Sequence, residues 1–153
     1  MRLLIQRVKE AKVVVDGKTV GSIGKGILAL FGVHKLDTIA NCAPLADKMV
    51  NLRIFPDQEE KMNLSLKDVE GGALIVSQFT LYGDCSTGRR PSFSESASPD
   101  LAIKLYEQFI KEVKARVSKV ETGIFGAKME VHLVNDGPVT FLVESSEKKS
   151  HSV

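Results

Sequence analysis

Apolar residues along this chain recur with two different periods, and the change of period marks the change of element. Leu3 to Val8 alternates as a strand does. Val13 to Val20 reads as a hairpin, because Asp16-Gly17 between apolar arms supplies the positive φ angles of a tight primed turn. Gly26 to Val33 is a near-continuous apolar run of strand length, which predicts a strand buried on both faces. Leu52 to Phe55 alternates as a short strand, and the polar stretch Pro56 to Val69 is expected to be a long loop. Gly71-Gly72 then turns the chain into Ala73 to Leu81, the strongest strand signal present. Met129 to Asn135 and Val139 to Ser145 read as two further strands, joined through Asp136-Gly137-Pro138.

Two segments carry the helical period. In Asp37 to Leu52, the residues Ile39, Leu45, Met49 and Leu52 recur at helix-like spacings. Pro44 lacks an N–H, so this helix either starts near Asn41 or is kinked there. The second helix is better marked. Ser98 can cap it, Pro99 suits its first position, and Asp100 favours the positive end of the dipole. Leu101, Leu105, Phe109, Val113 and Val117 form its apolar stripe. Between the elements, Tyr82 to Ser98 reads as an irregular loop, and loops beyond about 12–15 residues in compact domains are often functional. The total is about seven strands and two helices, with the strands in hairpin-like groups. This favours a mixed α+β fold with a largely antiparallel sheet or barrel.

Composition narrows the picture. The 153 residues fit one domain, taken as residues 1–145, with a polar tail at 146–153 expected to be disordered. Lys plus Arg number 21 and Asp plus Glu 19, a net charge of +2, which excludes a polybasic protein but allows a local basic patch. No apolar run reaches the roughly 18–20 residues of a membrane span, and no secretory leader is evident. Cys42 and Cys85 stand far apart in no metal or redox pattern. A cytoplasmic location with two free thiols is therefore expected.

Most motifs that suggest chemistry have a plainer explanation. His34, His132 and His151 have no metal-ligand spacing, so no metal and no cofactor is expected. Gly21-Ser22-Ile23-Gly24-Lys25-Gly26 has no Ser or Thr after the lysine and no helix to follow, so it is not a phosphate-binding P-loop. The GXXG spacing within it lacks the flanking helices of a KH domain. Glu130 and His132 share a strand face, which a solvated surface explains. Arg89, Arg90, Lys104, Lys111, Lys114 and Arg116 form at most a modest phosphate-contacting surface.

Two segments resist such explanations. In the first, a buried strand ends in Ser77, Gln78 and Thr80, with Gln78 and Thr80 expected on one face; polar groups there must find partners or face a cleft. The second is Asn135-Asp136-Gly137-Pro138-Val139-Thr140. Proline removes a ladder donor, glycine permits backbone angles a Cβ forbids, and a cis Gly-Pro bond would turn two successive carbonyls to one side, where they could hold an ammonium group.

Ser77-Gln78-Phe79-Thr80-Leu81 and Asn135-Asp136-Gly137-Pro138-Val139-Thr140 together resemble the two signature motifs of D-aminoacyl-tRNA deacylases. Ile5-Gln6-Arg7-Val8, Leu52-Arg53-Ile54-Phe55, Lys61-Met62-Asn63, Arg90-Pro91-Ser92-Phe93 and Gly126-Ala127 follow in the expected order, so the likeness covers about residues 1–145. The resemblance implies an α+β homodimer with a β-barrel-like, largely antiparallel sheet core and the two main helices outside, which hydrolyses the ester between a D-amino acid, or glycine, and the terminal ribose of tRNA. It implies catalytic roles around Ser77, Gln78, Phe79 and Thr80, with backbone amides stabilising the oxyanion and water attacking. It also implies that Gly137-Pro138 reaches into the partner subunit's pocket, holds the substrate amine and excludes an L side chain. Two alternatives stand beside it. One is a related deacylase acting on small L-aminoacyl-tRNA; the other is a module that binds tRNA ends without cleaving them.

Overall fold

The structure is a computed structural model and describes residues 1–145. Its spine is β1, Arg2–Val15, one continuous strand where the sequence suggested two segments. β2, Lys18–Ile23, returns along its second half through the expected turn, with φ of 49° at Asp16 and 76° at Gly17. β3, Gly26–Gly32, pairs with its first half on the same side. The last strand, β8, Glu130–Glu144, runs antiparallel along its other side.

Between these lie α1 (Cys42–Asn51), β4 (Phe55–Pro56), β5 (Met62–Leu64), α2 (Leu66–Val69), β6 (Gly72–Ser77), α3 (Pro99–Lys114) and β7 (Val120–Thr122). β6 joins β3 in parallel and β7 joins β6 in parallel, so the barrel-like sheet is mixed rather than largely antiparallel. A chain that passes through a helix before re-entering the sheet arrives in the same direction, which the local pattern of turns did not reveal.

Two cores follow from strand alternation. Ile27, Ala29 and Phe31 of β3 and Ala73 and Ile75 of β6 face α1 and α3. Leu28, Leu74 and Val76 face the barrel interior with Val8, Ala11 and Val13 of β1. β3 and β6 are thus covered on both faces, which is why they read as unbroken apolar runs. β1 changes phase midway: Leu3 and Ile5 point to the helices, whereas Val8, Ala11 and Val13 point into the barrel. The register against β8 shifts between Val8 and Glu10, and such a bulge exchanges the faces of a strand.

The helices obey their sequence signals. Ser98 Oγ accepts from Leu101 N and Pro99 is the first residue of α3. Leu105, Phe109 and Val113 are buried, with Phe109 stacked on Phe31 at 4.6 Å between ring centroids. A short 3₁₀ turn, Ile39–Asn41, precedes α1, which puts Pro44 in the first turn, where an N–H has no helical acceptor to lose. The predicted loop from Pro56 to Val69 contains β5 and α2. A capping box between Ser65 and Asp68 starts α2, and only Phe55 of the predicted strand at Leu52–Phe55 enters β4. The predicted tail, 146–153, lies outside the described residues.

Phe109→Ala is expected to lower unfolding free energy by about 3–5 kcal/mol, read from urea denaturation, because it removes the ring stacked on Phe31 and leaves a cavity between helix and sheet.

Candidate functional site

β6 ends sooner than its sequence predicts. Gln78 N still donates to Phe31 O at 2.8 Å, but Phe79–Tyr82 then closes into a 3₁₀ turn, with Leu81 N donating to Gln78 O at 3.2 Å. Gln78 and Thr80 therefore do not alternate along a strand. They meet across the turn instead, the Gln78 amide donating to Thr80 Oγ1. A helical turn leaves its first N–H groups without partners. Those of Phe79 and Thr80 find no acceptor among the described residues.

The turn is held from outside. Arg2 Nη1 donates to Leu81 O at 2.8 Å, and its guanidinium lies 4.5 Å from the centre of the Tyr82 ring. Ser96 Oγ donates to Phe79 O at 3.2 Å. The predicted irregular loop from Tyr82 to Ser98 is tied back to the barrel by Ala97 N to Val33 O and Lys35 N to Glu95 O, both 3.0 Å. His34 Nε2 lies 2.8 Å from Glu95 Oε2, and that hydrogen bond is the largest cause holding the Glu95 carboxyl below its ordinary pKa.

Beside the turn is an apolar cavity of about 410 Å³, lined by Ser77, Phe79, Phe93, Ala97 and Phe125 among others. Phe79 is 58% exposed and Phe93 41%, their rings 5.1 Å apart at its rim. Below it the Tyr106 hydroxyl, its pKa pushed up to about 12 by burial, donates to Ile75 O at 2.7 Å. It stays neutral and serves as a strut. Cys42 is likewise buried, its thiol raised to about 11 by desolvation, and takes the part of a small apolar residue.

The second motif lies elsewhere. β8 is unbroken, but it carries a wide bulge: Gln6 pairs with Thr140 and Val8 with Asn135, so five steps of β8 match two of β1. The bulge presents Gly137 and Pro138 to solvent, joined by a cis peptide bond. Asn135 closes its base, Oδ1 accepting from Val139 N at 2.7 Å and Nδ2 donating to Thr140 Oγ1 at 3.1 Å. Arg7 braces it from within. Its guanidinium is buried, Nε donating to Asp136 O at 2.9 Å and Nη1 to Ile54 O at 2.7 Å. Gly137 has a φ of 146°, and an added Cβ would stand 2.6 Å from Val139 Cγ2.

Ser77 and Phe79 thus line one cavity, with Gln78 and Thr80 in the adjoining turn, while Gly137 and Pro138 do not line it. Arg7 and Arg2 are structural parts of the site that reading the sequence gave no individual role. A charged residue inside the apolar strand Leu3–Val8 is the signal that could have found Arg7, since a buried charge needs partners. His132 and Glu130 sit 3.5 Å apart on the exposed face of β8, as a solvated pair. Among the described residues no three His, Cys, Asp or Glu side chains converge as metal ligands, and no helix is long and apolar enough to cross a membrane.

Comparison with known proteins gives a consistent answer. Residues 4–144 match the D-Tyr-tRNA(Tyr) deacylase family. The D-aminoacyl-tRNA deacylase of Thermosipho africanus is 62% identical over 96% of this chain and 99% of the relative. That of Geobacillus sp. is 55% identical over 97% of each. A solved structure of the c-Myc DNA Unwinding Element Binding Protein superposes with a TM-score of 0.91 at 36% identity, covering 96% of this chain and all of the other.

Two outcomes follow from the geometry. Gly137→Ala is expected to cost about 1–3 kcal/mol in urea denaturation, because φ there is open only to glycine and Val139 blocks the added carbon. The second concerns pH. Glu95 and Asp84 both have lowered carboxyl pKa values, Asp84 chiefly through the Ser86 hydroxyl. A carboxyl lowered on folding stabilises fully above its unfolded pKa and loses that contribution as pH falls through the folded one. Hydrogen-exchange protection of Lys35 and Ser92 is therefore expected to fall on acidification before that of β3 and β6.

Proposed function

The chain belongs to the D-aminoacyl-tRNA deacylase family, and from that premise we propose how its geometry carries out the reaction. The enzyme is a hydrolase that cleaves the ester between a D-amino acid and tRNA. The carrying observation is an apolar cavity that ends at a turn where, among the described residues, two N–H groups find no acceptor and no base bonds to the hydroxyl.

In this reading the aminoacyl end of the tRNA enters the cavity, and Ser77 and Gln78 shape its polar wall. As water attacks the ester carbonyl, negative charge develops on the carbonyl oxygen. The N–H groups of Phe79 and Thr80, already oriented by the turn, stabilise it. Donors fixed in advance near apolar walls act without reorganising, which makes them effective. Removing one such donor typically costs about 10²–10³ in rate.

Thr80 has the position of a nucleophile but not its surroundings. Its Oγ1 receives a hydrogen bond from the Gln78 amide, and among the described residues no histidine, carboxylate or amine bonds to it. A threonine hydroxyl without a base is a poor nucleophile. The side chain therefore supports the turn rather than attacking the ester.

Gly137 and Pro138 complete the site from a second copy of the chain. What supports this is their distance from the cavity of their own subunit. Arg2 holds the Phe79–Tyr82 turn, and Arg7, five residues further along β1, holds the Gly-Pro bulge. At about 3.3 Å per residue the two clamps are roughly 16 Å apart. An exposed, braced bulge suits insertion into a partner. Its carbonyls would receive the substrate ammonium, and its backbone would occupy the space an L side chain needs, so selection acts by exclusion and glycine passes. The site then needs no cofactor, and the working unit is a homodimer in the cytoplasm.

The test compares matched D-Tyr-tRNA and L-Tyr-tRNA, with and without chelator. Release of the D amino acid alone, indifferent to chelator, is expected, with Thr80→Ala keeping most of the rate. Total loss in Thr80→Ala would restore the nucleophile. Release of a small L-amino acid would move the specificity, and tRNA binding without turnover would leave a binding module.

A further inference from the structure

Two hollows at the end of the barrel remote from Ser77 have no part in the reading above. One, of about 610 Å³, lies between the end of α2 and the stretch that leaves α3. The other, of about 580 Å³, lies between the β2–β3 turn and the start of β7. Glu70, Gly71, Ser118 and Lys119 line both, so the hollows run into one another as a groove.

Its charge is one-sided. Lys25, Lys67, Lys114, Arg116 and Lys119 line it against two carboxylates, a local excess of three positive charges in a chain whose net charge is +2. Arg116 is occupied by Glu112 at 2.8 Å and Asp47 at 3.6 Å. The four lysines are exposed, and none forms an ion pair among the described residues. Lys119 donates only to the carbonyl of Glu70, at 3.2 Å. Lys25 Nζ lies 5.8 Å from the centre of the Phe55 ring, and like charges gathered without counter-ions repel one another. A concave surface of one sign instead concentrates ligands of the other.

The groove also stands in a defined relation to the cavity. Pro99 and Ala102, at the start of α3, line the cavity, and Lys114, at its end, lines the groove. The fifteen steps between Pro99 and Lys114 span roughly 23 Å at 1.5 Å each. Exposed Lys104 and Lys111 lie along the helix between them. A tRNA ends in a few unpaired nucleotides, beyond which its duplex phosphates begin.

We infer that this groove seats the duplex phosphates of the acceptor stem of the tRNA whose 3′ end occupies the apolar cavity. The assignment rests on the deacylase reading of that cavity, and the occupant is RNA backbone, recognised by charge and not by sequence.

The test uses the full chain with Lys67, Lys114 and Lys119 changed together to Glu, and a second variant with all three changed to Gln. Binding of non-acylated tRNA is followed against salt concentration. Each lost phosphate contact lowers the slope of log affinity on log salt by about 0.7–0.9, so a fall of about 2–3 is expected, with at least a tenfold loss of affinity at low salt for Glu and less for Gln. In parallel, kcat/KM is measured on D-Tyr-tRNA and on D-tyrosyl-CCA trinucleotide. Loss confined to the full tRNA is expected. Unchanged tRNA affinity and salt slope would overturn the inference. So would equal losses on both substrates, or a changed oligomeric state in sedimentation, which would mark the groove as part of an interface. If the wild-type chain cleaves no D-acyl ester but its tRNA binding falls in both variants as described, the groove stands and the deacylase reading falls.

Discussion

The close approach of β3 and β6 is the constraint on which the rest of the structure depends. At Gly26 an added Cβ would lie 1.9 Å from the carbonyl oxygen of Gly72, so the two strands meet at a point where side chains are forbidden. Their parallel pairing then brings Phe31 beside Ser77 at the far end. A parallel pair must be covered on both faces, and here helices cover one and the curled sheet the other. The phase change in β1 makes that curl possible, because the same strand serves the helical core with its first half and the barrel interior with its second.

The candidate site grows out of this arrangement at two places where sheet pairing stops. At Ser77 the strand gives way to a turn, and the N–H groups that a ladder would have consumed become available. At Asn135 the β8 ladder opens into a bulge, and carbonyls become available. Each place is held by an arginine of β1 that donates to a main-chain carbonyl: Arg2 to Leu81 and Arg7 to Asp136. One strand thus holds both the turn and the bulge. In the proposed reading the groups offered to substrate are main-chain groups, whose geometry is set by the fold rather than by side-chain rotamers, and this would suit a task of excluding the wrong stereoisomer.

The distribution of charge complements this economy. The cavity is apolar, while lysines with no ion pair among the described residues gather toward the opposite end of α3, roughly a helix length away. A substrate with a small acyl group at the tip of a long polyanion needs both surfaces and needs them separated. In the proposed reading affinity would come from the anion, and discrimination from the Gly137-Pro138 bulge of a second copy set against the cavity.

Much of this was legible in the chain. The Asp16-Gly17 hairpin, the doubly buried strand at Gly26 to Val33 and the capped helix from Pro99 are local. A turn chemistry, an apolar run and a capping residue each act within a few positions. The Ser77–Leu81 and Asn135–Thr140 segments were also visible, because polar groups at the end of an apolar strand, and Gly-Pro inside a strand connection, conflict with their surroundings. Other features required the tertiary structure. The ladder that fuses the predicted pieces of β1 and β8 into single strands is formed by residues more than a hundred positions apart. The parallel direction of β6 depends on a path through α1, and the turn at Phe79 depends on Arg2 and Ser96 reaching its carbonyls. Local sequence determined what each segment prefers. Tertiary structure decided which edges are paired and which are left open, because a hydrogen-bond donor becomes a site only when no neighbouring strand arrives to take it.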